Sequence, residues 1–127
     1  MEKYLEEFLV ANWGKTELGK KYDIFTDDGE VIGEQYQTDT GPIDILAISK
    51  DRKTVLVVEL KRGQASDKVV GQIQRYMGYI KDEVLEEGQN LKGLIIGLKP
   101  DQGLMRALSM CPNIEFCRYE VDFKLIK

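Results

Sequence analysis

The chain has 127 residues, 43% hydrophobic and 31% charged, with a formal net charge of −4 and no histidine. That length suits one domain, spanning 1–127, with a core of its own, and the missing histidine excludes Ser-His-Asp and Cys-His triads and histidine-ligated zinc. Cys111 and Cys117 are the only two thiols, too few for a four-cysteine zinc site, and both read as small buried hydrophobes.

In chain order, Tyr4, Leu5, Phe8 and Leu9 fall at helical spacing, which predicts an amphipathic first helix over residues 2–12 carrying Glu6 and Glu7. Tyr22–Thr26 and Glu30–Gln37 read as strands around Asp27-Asp28-Gly29, whose Asp-Gly is a hairpin signal. Asp39-Thr40-Gly41-Pro42 then feeds a strand through Ile43-Asp44-Ile45-Leu46, and Lys50-Asp51-Arg52-Lys53 turns the chain into Val55–Lys61. After Gly63, Ser66 or Asp67 caps a helix predicted to run to about Glu86, with Gly88 closing it. Leu91–Leu98 is apolar enough for a buried strand, and following a long crossover helix it is expected to be parallel and right-handed. A short helix, Gln102–Met110, and a last strand, Ile114–Ile126, complete the order. Such an order implies α/β architecture, a mixed central sheet with helices on both faces.

The strand Val55–Lys61 carries the chemistry. Val55, Val57, Glu59 and Lys61 alternate to one face, and Leu56, Val58 and Leu60 to the other. A charged pair thus ends a strand of solid valine and leucine, where burial is costly unless the charges are paired or bind a metal. A hairpin centred on Asp51-Arg52 puts Asp44 opposite Glu59, on the same face. Two carboxylates and a lysine converge there.

The spacing Asp44…Glu59-x-Lys61 resembles the PD-(D/E)XK nuclease superfamily. Glu34–Asp44, Val58–Gly63 and Gly71–Tyr76 together are similar to the catalytic domain of the NucS/EndoMS endonucleases, and a looser likeness spans nearly the whole chain. The proline stands two residues before the aspartate, and the family's N-terminal domain for DNA binding and dimerisation has no counterpart in these residues. The resemblance implies a restriction-endonuclease-like α/β/α layered core. It also implies that Glu6 reaches the metal site from its helix, and that Gln72 and Tyr76 are the family's Gln-x3-Tyr, with the glutamine near the catalytic centre.

The expected activity is metal-dependent hydrolysis of DNA phosphodiester bonds. Asp44, Glu59 and the Leu60 carbonyl are the expected ligands of Mg²⁺ (or Mn²⁺), and Lys61 is expected to act on the attacking water and the transition state. From Lys50 to Arg75 seven Lys/Arg face three acids, a local +4 against −8 elsewhere. This stretch is expected to form a DNA-facing rim, with Arg62, Lys68, Arg75 and Tyr76 as nucleic-acid contacts. The acidic remainder predicts that a homodimer or a separate DNA-binding subunit supplies further contacts. The alternative is a nucleic-acid-binding or assembly module that keeps the fold without cleaving. No run of about 18 apolar residues suggests a membrane span, and the start lacks the blocks of a signal peptide, so a cytoplasmic location is expected.

Overall fold

The computed structural model describes residues 2–120 and 124–127. Helix α1 (Glu2–Ala11), a 3-10 turn (Trp13–Lys15) and α2 (Glu17–Lys21) lead into β1 (Tyr22–Ile24), β2 (Thr26–Asp27), β3 (Glu30–Val31), β4 (Glu34–Thr38), β5 (Gly41–Ser49) and β6 (Thr54–Leu60). There follow β7 (Gln64–Ala65), α3 (Lys68–Glu83), β8 (Asn90–Gly97), β9 (Lys99–Pro100), α4 (Gln102–Leu108) and β10 (Ile114–Arg118). The main sheet has the order β1-β5-β6-β8-β10. β1 and β4 lie end to end on the same edge of β5, facing Ala47–Ser49 and Gly41–Ile45 respectively. The β5–β6 hairpin is antiparallel, while β8 runs parallel to β6 and to β10, so the sheet is mixed as expected.

Two cores sandwich this sheet. One joins Leu46, Val55, Val57 and Ile95 to Val69, Ile73, Met77 and Ile80 of α3 and Leu104 of α4. The other joins Ile45, Ala47, Leu56, Val58, Leu60, Leu94 and Ile96 to Trp13, with Leu5, Leu9 and Leu18 packed against it. The alternation read along β6 therefore holds, and β6 is buried on both faces. In β5 the alternation breaks: Ile43 and Ile45, two residues apart, belong to opposite cores. Asp44 stands at that break, across the ladder from Gln35, whose φ of +51° is left-handed. A left-handed residue other than glycine costs on the order of 1–3 kcal/mol and persists only where its surroundings hold it.

Several elements differ from expectation. The strands Tyr22–Thr26 and Glu30–Gln37 are each split, because Phe25 O accepts from both Ile32 N–H and Gly33 N–H and diverts the chain into the β2–β3 hairpin. That hairpin turns at Asp28 (φ +51°) and Gly29 (φ +81°), the two left-handed positions of a type I′ turn. Helix α3 stops at Glu83 and not near Glu86, because the Val84 and Leu85 amides both bond Ile80 O and wind up the last turn. Helix α4 ends at Leu108, two residues before Met110, where Met110 N–H turns back to Ala107 O. Strand β10 ends at Arg118, opposite Gly97, because its partner β8 ends there. Of the remaining residues expected in that strand, Val121–Phe123 lie outside the described residues and 124–126 carry no strand. The 3-10 turn, α2 and the β7–β9 pair were not anticipated. Cys117 is exposed and Cys111 half-buried, so neither is the buried hydrophobe expected.

Gly33 sits where the hairpin rejoins the sheet, and its carbonyl accepts from Leu46 N–H at 2.7 Å. A Cβ there would lie 2.3 Å from Leu46 O and 2.8 Å from Phe25 N, both backbone atoms. Gly33→Ala should therefore destabilise the fold by about 2 kcal/mol or more in a denaturant titration, as overpacking does. Gly14→Ala, whose Cβ would meet nothing within 4 Å, is the control and should stay within about 0.5 kcal/mol of the parent.

Candidate active site

The β5–β6 ladder runs from Ile48↔Val55 to Ile45↔Val58, the register expected from the Asp51-Arg52 turn. One step further, Asp44 faces Glu59, and the bonding changes character. Asp44 N–H donates to Glu59 Oε1 at 3.4 Å, and Leu60 N–H donates to Asp44 Oδ2 at 2.8 Å. Each carboxylate thus takes a backbone donor of the opposite strand. Glu59 is only 2% exposed, a burial that a carboxylate tolerates only with such partners.

Two helices reach this point from opposite faces of the sheet. From α3, Gln72 Oε1 accepts from Lys61 Nζ at 3.2 Å, while its Nε2 donates to the Tyr76 hydroxyl at 3.3 Å. From α1 comes Glu6, 6% exposed. Its Oε1 accepts from Gln35 Nε2, which also donates to Asp44 Oδ1 at 3.2 Å. The break in alternation at Asp44 is what lets one site draw on both layers. Burial pushes the Glu6 carboxyl up to about 7, helped by its bond with Glu34 and by the Asp44 and Glu34 charges, and opposed by the Gln35 donor.

Every expected site residue can be placed. Glu6, Asp44, Glu59, Leu60, Lys61 and Gln72 are brought together at one end of the sheet. Tyr76 is 5% exposed and its ring belongs to the α3 core, so it offers a nucleic acid no exposed ring and acts on this site through Gln72. Arg62, Lys68 and Arg75 are exposed. Lys68, Gln72 and Arg75 are spaced i, i+4 and i+7, one face of α3, so two cations flank the glutamine that holds Lys61. The rim expected along the whole of Lys50–Arg75 is not continuous, however. Lys50, Arg52 and Lys53 sit at the far turn of the hairpin, about 26 Å from Lys61 at ~3.3 Å per residue, where Lys50 and Arg52 both pair with Asp23.

Gln35 and Glu34 lie in the stretch that carries the family resemblance but were given no role at the site. The register argument that pairs Asp44 with Glu59, applied to the turn at Asp39-Thr40, puts Gln35 opposite Asp44 and would have found it.

Among the described residues no three Cys, Asp or Glu side chains form a group able to hold a metal by themselves. The donor chemistry nonetheless fits a hard divalent cation. Asp44, Glu59 and the Leu60 carbonyl are all oxygen donors, and Mg²⁺ characteristically takes one or two carboxylates, with water and phosphate completing its shell.

A profile of the endonuclease NucS C-terminal domain matches residues 18–122. Endonuclease NucS of Methanocaldococcus jannaschii is 32% identical over 96 residues, covering 76% of this chain and 35% of that protein. The fold is shared with EndoMS in its complex with double-stranded DNA, at a TM-score of 0.74 and 21% identity over 97% of this chain and 46% of that one. A repair endonuclease from Pyrococcus abyssi gives a TM-score of 0.70 and 22% identity, covering 94% and 48%. The chain spans between about a third and a half of the length of the proteins it matches.

The raised Glu6 carboxyl has a measurable consequence in metal-free protein. The folded chain takes up a proton near pH 7 that the unfolded chain binds only near 4.5. Its contribution to stability is therefore fully present below about 4.5 and is lost as the pH rises through 7. Thermal melts in chelator should show Glu6→Gln flattening the dependence of melting temperature on pH across that window. An unchanged slope would contradict the assignment.

Proposed function

The chain belongs to the family of endonuclease NucS C-terminal domains, and from that premise we propose that it is a metal-dependent nuclease domain that hydrolyses DNA phosphodiester bonds. The observation that carries this reading is the crossed bonding of Asp44 and Glu59 where β5 and β6 part, with Lys61 two residues beyond Glu59 and its ammonium held by Gln72. That relatives are endonucleases, and that a protein of the same fold is seen with double-stranded DNA, supports it.

In this reading Asp44 and Glu59, with the Leu60 carbonyl, hold Mg²⁺ or Mn²⁺. The cation supplies charge neutralisation at the phosphoryl oxygens and acidifies bound water. Glu6, its carboxyl raised to about 7, would add negative charge beside the pair once a cation there favours its ionised form. Lys61, its ammonium aimed by Gln72 Oε1, orients the attacking water and stabilises charge as it builds on the phosphorane. Tyr76 fixes the Gln72 amide the right way round, because its hydroxyl takes the Nε2 donor and leaves Oε1 for Lys61. Arg62, Lys68 and Arg75 draw in the DNA backbone. A homodimer or a separate DNA-binding subunit adds the contacts that an acidic domain lacks.

Purified protein incubated with Mn²⁺ and labelled single-stranded, flapped and mismatched DNA should cut at least one of these. Glu59→Gln and Lys61→Ala should each lower the rate by orders of magnitude, about a hundredfold at the least. Cleavage that persists in EDTA would contradict the mechanism. No cleavage by wild type, alongside retained DNA binding, would favour the non-catalytic module.

Binding gives a separate check. In the Glu59→Gln background, fluorescence anisotropy across several salt concentrations should show the triple replacement of Arg62, Lys68 and Arg75 weakening DNA equally for unrelated sequences. The salt slope should flatten by roughly 0.9 per lost phosphate contact. Unaltered affinity and slope would mean that DNA does not approach this face.

A further inference from the structure

Gln35 touches two of the acidic groups at the site yet belongs to no expected set of catalytic or binding residues. One side-chain nitrogen, Nε2, donates to Glu6 Oε1 from α1 and to Asp44 Oδ1 from β5. It does so from a left-handed backbone position inside a strand, at φ +51°. Glycine and asparagine take that conformation far more readily than glutamine. Neither could serve here: glycine has no amide, and asparagine is one methylene shorter. The next residue, Tyr36, packs back into the α3 core and makes an edge contact with Phe25 at 6.4 Å between ring centres. The ladder pairs both neighbours of the awkward residue, Glu34 with Ile45 and Tyr36 with Ile43, so the strand is held on both sides of it.

We propose that Gln35 is a positioning residue, an amide clamp that ties the α1 carboxylate of Glu6 to Asp44 and so makes α1 part of the active site. Three features of the chain bear on this. Besides the clamp, Glu6 shares a hydrogen bond with Glu34, a second carboxylate, and feels the charge of Asp44, and both of these raise its carboxyl where the Gln35 donor lowers it. Asp44 spends its other oxygen, Oδ2, on Leu60 N–H, so Oδ1 is the atom whose orientation the clamp governs. A neutral donor between two carboxylates also screens their repulsion in metal-free protein, where a carboxylate in its place would add to it. Groups that orient metal-holding carboxylates from behind typically change metal affinity by about 10–100-fold when removed.

The proposal rests on the nuclease reading for its metal arm, and its other arm needs no metal. The variants are Gln35→Gly, which relaxes the backbone and removes the amide, and Gln35→Met, which keeps both length and backbone strain and removes only the amide. In chelator, melting temperatures of wild type, Gln35→Gly, Glu6→Ala and the double variant form a cycle. The clamp predicts clear non-additivity, and additive shifts would overturn it. In the second arm Mn²⁺ is titrated calorimetrically into each single Gln35 variant. Both should bind about tenfold or more weakly than wild type, whatever their melting temperatures. If Gln35→Met binds Mn²⁺ as wild type does, the positioning role is overturned. If wild type itself binds no Mn²⁺ while the cycle stays non-additive, the clamp stands and the metal-dependent mechanism falls.

Discussion

At the end of the central hairpin the two strands stop exchanging backbone hydrogen bonds and begin to bond each other's carboxylates. Asp44 N–H reaches Glu59, and Leu60 N–H reaches Asp44. Backbone donors in so buried a place need acceptors, and a carbonyl would ordinarily supply them. Putting acids there satisfies the backbone and also gathers negative charge at the mouth of a gap between strands. An apolar pair at 44 and 59 would leave those two donors without these acceptors. The same residues therefore serve the fold and create the electrostatic problem that a divalent cation would solve.

Around that pair the two helical layers play different parts. The α3 layer contributes an ordered relay, Tyr76 to Gln72 to Lys61, in which each group fixes the orientation of the next. Its base is a well-packed core, since Tyr76 and its neighbours Ile73 and Met77 are all buried. The α1 layer contributes a buried acid, Glu6, whose carboxyl is pushed up by desolvation and by neighbouring carboxylates. That is an unfavourable arrangement for a resting protein, and it is held by the apolar contacts of Leu5 and Leu9 with the opposite core. A carboxyl raised by burial and by neighbouring charge, as that of Glu6 is, marks a candidate functional site.

Much of this was legible in the residues. The Asp51-Arg52 turn and strict alternation in Val55–Lys61 determine a register, and register alone carries Asp44 to Glu59. The parallel placing of Leu91–Leu98 followed from the length of the crossover. What failed did so for tertiary reasons. A left-handed Gln35 is invisible to propensity, because the contacts that hold it come from α1, β5 and the core around Tyr36. The last strand was read too long because its sequence stays apolar in pattern after its partner β8 has run out. The basic stretch was treated as one patch because charge counting ignores the distance that a single extended strand puts between its ends. Helical spacing places Tyr76 beside the core stripe of Ile73 and Met77, and the structure buries it there, so its assignment as a nucleic-acid contact does not hold for the ring.

The proposed chemistry requires a divalent cation at the parted end of β5 and β6. Crystals soaked in Mn²⁺ and measured for anomalous scattering test it most directly. A strong peak is expected about 2 Å from carboxylate oxygens of both Asp44 and Glu59, the range of a small hard cation. A peak at another place, or none in protein that cleaves DNA under the same Mn²⁺ concentration, would contradict it.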